Sequence, residues 1–282
     1  MFFKQQLQDH LKEKITGISA LSGGDINETY KISTDQNTYA LKVNRKDAFP
    51  QMFEKEKLGL DRISATGARV PKAILTYTSS TDQFLLLEYI EEVTVQPEFW
   101  ENFASDLAKI HRTSDALFGL PYNNYIGSLK QINTQTNSWE SFFVNHRILP
   151  LMQKAFDAHL LNKNHLKGFE NLFGRLNELL PVEKPSLIHG DLWAGNLMKG
   201  ADQTPVFIDP AIYFGNREMD LAMTQMFGGF DQVFFKYYDA IFPLEIGWQQ
   251  RIKIHNLYPN LVHLVLFGKS YLGGIESVIK HF

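Results

Sequence analysis

The period of the apolar residues changes partway along this chain, and that change limits its possible folds more than any other feature. Up to about residue 90, apolar residues alternate over short stretches rich in Thr, Tyr and Val, whereas beyond Glu92 they recur at helical spacing. The stretches "NETYKIST" and "NTYALKV" flank a polar Asp35-Gln36-Asn37 turn and read as a hairpin. Two more strand-like runs follow, "AILTYT" and "QFLLLEYI". Between them, from Pro50 to about Thr66, Phe53, Leu60 and Ile63 share one helical face. The opening stretch "MFFKQQLQDHLKEKI" lacks the apolar core of a signal peptide and reads as a short amphipathic helix.

Past Glu92, "PEFWENFASDLAKIH" places Phe99, Phe103, Leu107 and Ile110 on one stripe, with Pro97 suited to the first turn. Residues 114–137 are loop-like. Helical patterns return near 138–157, 163–180, 217–226, 230–241, 246–257 and 259–280. Pro185 to Gly215 interrupts this half with short strands and turns. The expected architecture is α+β, with a β-rich N-lobe over residues 1–90 and an α-helical C-lobe over 91–282. A cleft between two such lobes is a favoured ligand site.

Composition narrows the partners. With 28 basic and 31 acidic side chains the formal charge is −3, so the chain has no basic footprint for nucleic acid. It has no cysteine, which removes disulfides, thiolate metal sites and thiol nucleophiles and fits a reducing compartment. No apolar run approaches the roughly 20 residues of a membrane span. A soluble cytoplasmic protein with no nucleic-acid or membrane partner is expected; the sequence leaves the oligomeric state open, with a monomer favoured.

Five local features could carry chemistry. In "LSGGDINETY", Ser22, Gly23 and Gly24 form either an ordinary hairpin turn or a turn whose backbone N–H groups approach a phosphate. In "YALKVN", Lys42 shares a strand face with Ala40, while Leu41 and Val43 take the other. Glu56 lies on the apolar stripe of the following helix, where a carboxylate is costly unless paired or snorkelling from its edge. Lys42 is an available partner, and a strand lysine paired with a helix glutamate holds ATP phosphates in kinases.

The stretch "SLIHGDLWAGNLM" sets Asp191 and Asn196 five positions apart, the spacing at which a base and a metal ligand sit in kinase catalytic loops. "PVFIDP" ends an apolar strand in Asp209, which suits either a turn or a Mg²⁺ ligand. His189 reads as structural, orienting the loop. The order of these parts along the chain points to phosphoryl transfer.

These motifs resemble the protein-kinase-like superfamily in its small-molecule branch, with the aminoglycoside and choline kinases. Within it, "HGDLWAGN" followed by "IDPAIYFGNREMDLAM" is similar to the fructosamine-3-kinase, or ketosamine kinase, family. "LSGGDINETY", "ALKVN", "MFEKEKLGL", "LLLEYI" and "SWESFFVNHRILP" follow the same pattern in order. The resemblance implies a two-lobe protein-kinase-like fold that uses ATP and Mg²⁺. It implies Lys42 on the nucleotide phosphates with Glu56 as its partner, and Glu88, Tyr89 and Ile90 as the hinge beside adenine. It further implies Asp191 as general base, Asn196 and Asp209 as Mg²⁺ ligands, and Asp220 as a brace for the catalytic loop. Trp193 offers its face either to the sugar or to the core.

The implied substrate is a ketosamine, free or protein-bound, phosphorylated at its C3 hydroxyl so that the sugar leaves the amine. An aminoglycoside or choline-like kinase, or a pseudokinase used as a binding module, are the alternatives. Where many family members carry a cysteine in the glycine-rich turn this chain has Asp25, so thiol-based regulation is unsupported.

Overall fold

A computed structural model describes residues 3–21 and 26–282. The N-terminal part runs α1 (Phe3–Leu11), β1 (Ile15–Ala20), β2 (Glu28–Thr34), β3 (Thr38–Arg45), α2 (Met52–Ser64), β4 (Ala73–Thr78) and β5 (Asp82–Glu88). These strands form an antiparallel five-stranded sheet in the order β1-β2-β3-β5-β4. The pleat sorts its side chains between two cores. Leu41, Phe84 and Leu86 point to a small cluster closed by Leu7 of α1. Leu85 and Leu87 point the other way, onto Phe53, Leu60 and Ile63 of α2. Lys42, opposite Leu85 in register, emerges on this second face, as the strand alternation predicts.

The remainder is mostly helical: α3 (Glu98–Arg112), a β6–β7 hairpin (Asn124–Ile126 and Leu129–Gln131), α4 (Trp139–Phe142), α5 (Leu149–Asp157), α6 (Lys163–Phe173) and α7 (Leu176–Leu179). Four short strands follow, β8 (Ser186–Ile188), β9 (Leu197–Lys199), β10 (Pro205–Phe207) and β11 (Tyr213–Gly215), then α8 (Glu218–Met226), α9 (Val233–Ile241), α10 (Trp248–His255), α11 (Leu257–Phe267) and α12 (Leu272–Ile279). β8 pairs with β11 and β9 with β10, both antiparallel. A single apolar core runs from the α2 face of the sheet through α3 into these helices. The α+β division into a sheet-bearing N-terminal part and a helical C-terminal part is as expected.

Several boundaries differ from the sequence expectation for physical reasons. The helix expected over 138–157 contains a π-helical segment, Phe143–Ile148. Pro150 has no N–H for the His146 carbonyl, and the Arg147 side chain donates to that oxygen at 3.1 Å instead. The helix expected over 259–280 stops at Gly268, whose φ of 87° turns the chain before α12. The loop-like 114–137 region holds the β6–β7 hairpin.

α2 is held close to the C-terminal part because Gly59 has no side chain. A Cβ there would lie 3.1 Å from Pro210 Cγ. The helix thus rests on the segment just after Asp209, which brings Glu56 to the cleft.

Candidate active site

Two loops make the floor of the cleft, and backbone hydrogen bonds stitch them together. The Ile208 N–H donates to Asn196 O at 3.1 Å, and the Ala211 N–H donates to His189 O at 2.9 Å. The first loop leaves β8 through Gly190, at φ 81°, where any Cβ would sit 2.2 Å from Ala211 O. No larger residue fits between the loops, which explains the glycine in His-Gly-Asp. Asp209 itself adopts φ 55°, a left-handed conformation that aspartate tolerates better than most residues.

Buried Asp220 on α8 fastens the first loop from below. Its carboxylate accepts from the His189 N–H at 2.7 Å and from the Gly190 N–H at 2.9 Å, and His111 Nε2 lies 3.1 Å away. His189 is fully buried; its Nε2 is 2.9 Å from Ile208 O, and its Nδ1 accepts from the Asp191 N–H at 3.3 Å. A carbonyl only accepts, so Nε2 carries the proton and Nδ1 is the acceptor. Burial lowers the His189 pKa and favours this neutral form. The ring joins the two loops and does not line the open cleft.

The charged groups meet across the cleft. Lys42 Nζ lies 2.6 Å from Glu56 Oε1 and also bonds Asp209 Oδ1. Burial alone would lower the lysine pKa, but Asp209 and Glu56 outweigh it and hold the ammonium above its ordinary value. Burial pushes the Glu56 carboxyl up, partly offset by Lys42. Asn196 Nδ2 donates to Asp191 Oδ2 at 3.0 Å and to Asp191 O at 2.8 Å, which leaves its own carbonyl oxygen as the free end of the amide. The Asp191 carboxyl is pushed up to about 7, first by burial and then by the negative charge of Asp209, against the Asn196 hydrogen bond.

These side chains line one cavity of about 630 Å³, which contains Lys42, Glu56, Asp191, Trp193, Asn196 and Asp209. Trp193 keeps 38% of its area exposed and faces this cavity, so it is not a core residue. Its indole covers Gly195, where a Cβ would fall 2.3 Å from the ring.

Glu88, Tyr89 and Ile90 are not part of that lining. The Glu88 N–H donates to Lys72 O at 2.9 Å, and its carboxylate bonds Arg69 and the Lys72 N–H. Of Glu88's own polar groups, the carbonyl is therefore the one left to offer a ligand. The Tyr89 ring lies under Lys31 Nζ at 4.3 Å. Ser22, Gly23 and Gly24, together with Asp25, lie outside the described residues.

Sequence reasoning missed the far wall of the cavity, built from Phe227, Val262, His263, Leu266, Phe267 and Tyr271. The signal was present as His263, Phe267 and Tyr271 at i, i+4 and i+8. In an apolar C-terminal helix such a stripe reads as core. It also missed Arg147, fully buried between the rings of Phe142 and Tyr213, with Nη1 donating to Ile132 O at 2.5 Å and Nη2 to Asn133 Oδ1 at 2.7 Å.

A family model described as fructosamine kinase matches residues 1–282. A protein named probable ketoamine kinase from Enterococcus faecium is 37% identical over 264 residues, covering 92% of this chain and 93% of that protein. The chloroplastic protein-ribulosamine 3-kinase of Oryza sativa subsp. indica is 33% identical, covering 95% and 79% respectively. Among solved structures, a protein from Thermobifida fusca described as a fructosamine-3-kinase superposes with a TM-score of 0.89 at 30% identity, covering 98% of this chain and 96% of that one. An aminoglycoside phosphotransferase in a ternary complex with AMP-PNP and hygromycin B reaches 0.69 at 14% identity, covering 99% and 98%, and shares the fold. On these matches, taken with the cleft described above, the chain belongs to the fructosamine kinase family.

Proposed function

We infer that this chain is an ATP-dependent ketosamine kinase that transfers the γ-phosphoryl group of ATP to the C3 hydroxyl of the sugar moiety. The observation that carries this reading is the meeting of Lys42, Glu56, Asp209, Asp191 and Asn196 in one cavity, in the chemical order that phosphoryl transfer requires.

Lys42, fixed by Glu56, binds the phosphates and offsets their charge. The Glu88 carbonyl and the Ile90 N–H meet adenine. Asp191 takes the proton of the C3 hydroxyl as its oxygen bonds to the γ-phosphorus and the bond to the ADP oxygen breaks. A carboxyl lifted toward neutrality by its surroundings is a better base than a free aspartate. Most of the acceleration comes from holding the reactants in line and from fixed charge. Trp193 lays its exposed face against the sugar, as aromatic rings in carbohydrate sites can.

The oxygen donors present suit Mg²⁺. The Asn196 carbonyl oxygen is left free by the bonds of its own amide nitrogen, and the Asp209 carboxylate is partly exposed to the cavity. Among the described residues no group of three or more His, Cys, Asp or Glu side chains forms a metal cage. Mg²⁺ is held by few protein ligands together with substrate phosphates, so two such donors fit it. The ion would supply charge neutralisation at the phosphates.

Free small ketosamines and glycated lysine side chains are both acceptors in this reading, since Trp193 lines the cavity and is itself exposed to solvent. Among the described residues no helix is long and apolar enough to cross a membrane. We place the protein in the cytoplasm, where ATP is supplied, as a monomer.

A panel of acceptors tests the assignment. With Mg²⁺ and ATP, ADP release is expected with ribulose-lysine and fructose-lysine adducts and at background with choline and kanamycin. The opposite pattern would move the chain to another acceptor class, and no acceptor-dependent release at all would favour a binding module. In the same assay Trp193→Ala is expected to raise KM for the adduct about tenfold and leave KM for ATP unchanged, the loss of one aromatic face. An unchanged adduct KM would remove Trp193 from the sugar site.

A further inference from the structure

The cavity has a wall that the phosphoryl-transfer groups leave unused, and His263 of α11 stands at its centre. His263 Nδ1 is 2.7 Å from Pro259 O. Because a carbonyl only accepts, Nδ1 carries the proton. Burial lowers the pKa of this ring and keeps it neutral, which leaves Nε2 as a bare acceptor. Among the described residues no donor meets Nε2, and the side chain lines the cavity.

Three rings surround the imidazole. Phe227 lies at 5.1 Å, Tyr271 at 4.8 Å and Phe267 at 5.5 Å between ring centroids. Phe227 in turn meets Trp193 of the catalytic loop at 6.0 Å, so the aromatic wall is continuous with the acceptor side of Asp191. The left-handed turn at Gly268 makes this possible, since it ends α11 and folds Tyr271 back onto His263.

A bare nitrogen lone pair beside three aromatic rings attracts an N–H cation more than a neutral hydroxyl, because a cation held there gains an attraction to the rings that a hydroxyl does not feel. The carboxyls of Glu56, Asp191 and Asp209 face Lys42 and Lys55 in the lining, so the cavity carries no excess of positive charge against a cationic acceptor. A ketosamine carries one such cation, the secondary amine that links the sugar to the rest of the acceptor. We propose that His263 Nε2, backed by Phe227 and Tyr271, accepts a hydrogen bond from the protonated secondary amine of the acceptor. His263 is then a specificity-determining residue. This rests on the ketosamine reading and adds to it what distinguishes an aminated sugar from a neutral one.

The test compares a ribulosamine with its N-acetylated counterpart, which has the same sugar and a neutral amide, in the wild type and in His263→Phe. The wild type is expected to prefer the amine at least about tenfold in kcat/KM, as loss of a charge-assisted hydrogen bond implies. His263→Phe keeps an aromatic ring but no acceptor. It should raise KM for the amine about tenfold, leave KM for ATP unchanged and shrink the preference to within about twofold. His263→Gln, which retains an acceptor oxygen, should restore part of the preference and serves alone if the phenylalanine variant does not fold.

Equal losses on both acceptors would assign His263 to the sugar or to packing and overturn the proposal. A wild type that turns over the amine without preferring it overturns the amine contact while leaving the kinase reading intact. No wild-type turnover of either compound overturns both.

Discussion

Asp191→Asn is expected to lower kcat by about 10²–10⁴-fold, the usual span for loss of a positioned general base, while nucleotide affinity stays within about threefold. The substitution is close to isosteric, and an asparagine oxygen can still accept from Asn196 Nδ2, now at 3.0 Å from Asp191 Oδ2. What it removes is the capacity to take a proton. Lys42 and Glu56 on β3 and α2 are untouched, so the phosphate contacts survive. Coupled ADP release under saturating adduct, with calorimetric titration of ATP, separates the two effects. Near wild-type turnover would reject Asp191 as the base. A parallel loss of ATP binding would show that its charge serves the nucleotide instead.

The second large effect is expected at a residue that touches no substrate and acts through the catalytic loop above it. Asp220 is 1% exposed and its carboxylate satisfies the backbone N–H groups of His189 and Gly190 while facing His111. Asp220→Ala strips two buried donors of their acceptor and leaves a cavity beneath the catalytic loop. Each orphaned N–H costs about 1–3 kcal/mol, and a broken buried charge network costs about 3–5 kcal/mol in all. The melting temperature should fall by roughly 10 °C, given the size scaling of unfolding entropy. Asp220→Asn keeps one acceptor oxygen and should recover part of that loss. Thermal unfolding followed by circular dichroism decides it, and a shift under about 2 °C for Asp220→Ala would mean that the loop does not depend on this brace.

The parts of the molecule that were legible in the sequence are those where chemistry or periodicity leaves little choice. Lys42 alternates with Leu41 along a strand, and Leu41 is fully buried on the opposite face, so its direction followed from the pleat. Glu56 was conspicuous because a carboxylate on an apolar stripe needs a partner, and the structure supplies Lys42. The spacing of Asp191 and Asn196 was readable because one loop must hold both, and they hydrogen-bond each other.

Other features depend on contacts between distant segments and left no local mark. The π-helical turn around Arg147 is set by Pro150 together with rings from α4, β11 and α11. Gly59 looks like an ordinary weak point in a helix until Pro210 is seen against it. The cavity's aromatic wall was hidden because His263, Phe267 and Tyr271 fit a core stripe equally well. Only the turn at Gly268 and the open cleft beside Trp193 distinguish the two. Glu88, a hinge residue only by the family resemblance, ends β5 with its N–H committed to Lys72 O, which restricts it to a carbonyl contact.

The central claim is that this cleft moves phosphate from ATP to the C3 oxygen of a ketosamine. The most direct measurement is the position of the phosphate in the product, read by ³¹P–¹H correlation NMR after incubation of the protein with ATP, Mg²⁺ and a ribulose-lysine adduct. The account predicts a single phosphomonoester coupled to the proton on C3, absent when Asp191→Asn replaces the wild type. Phosphate on another carbon, or inorganic phosphate with the adduct unchanged, would contradict it.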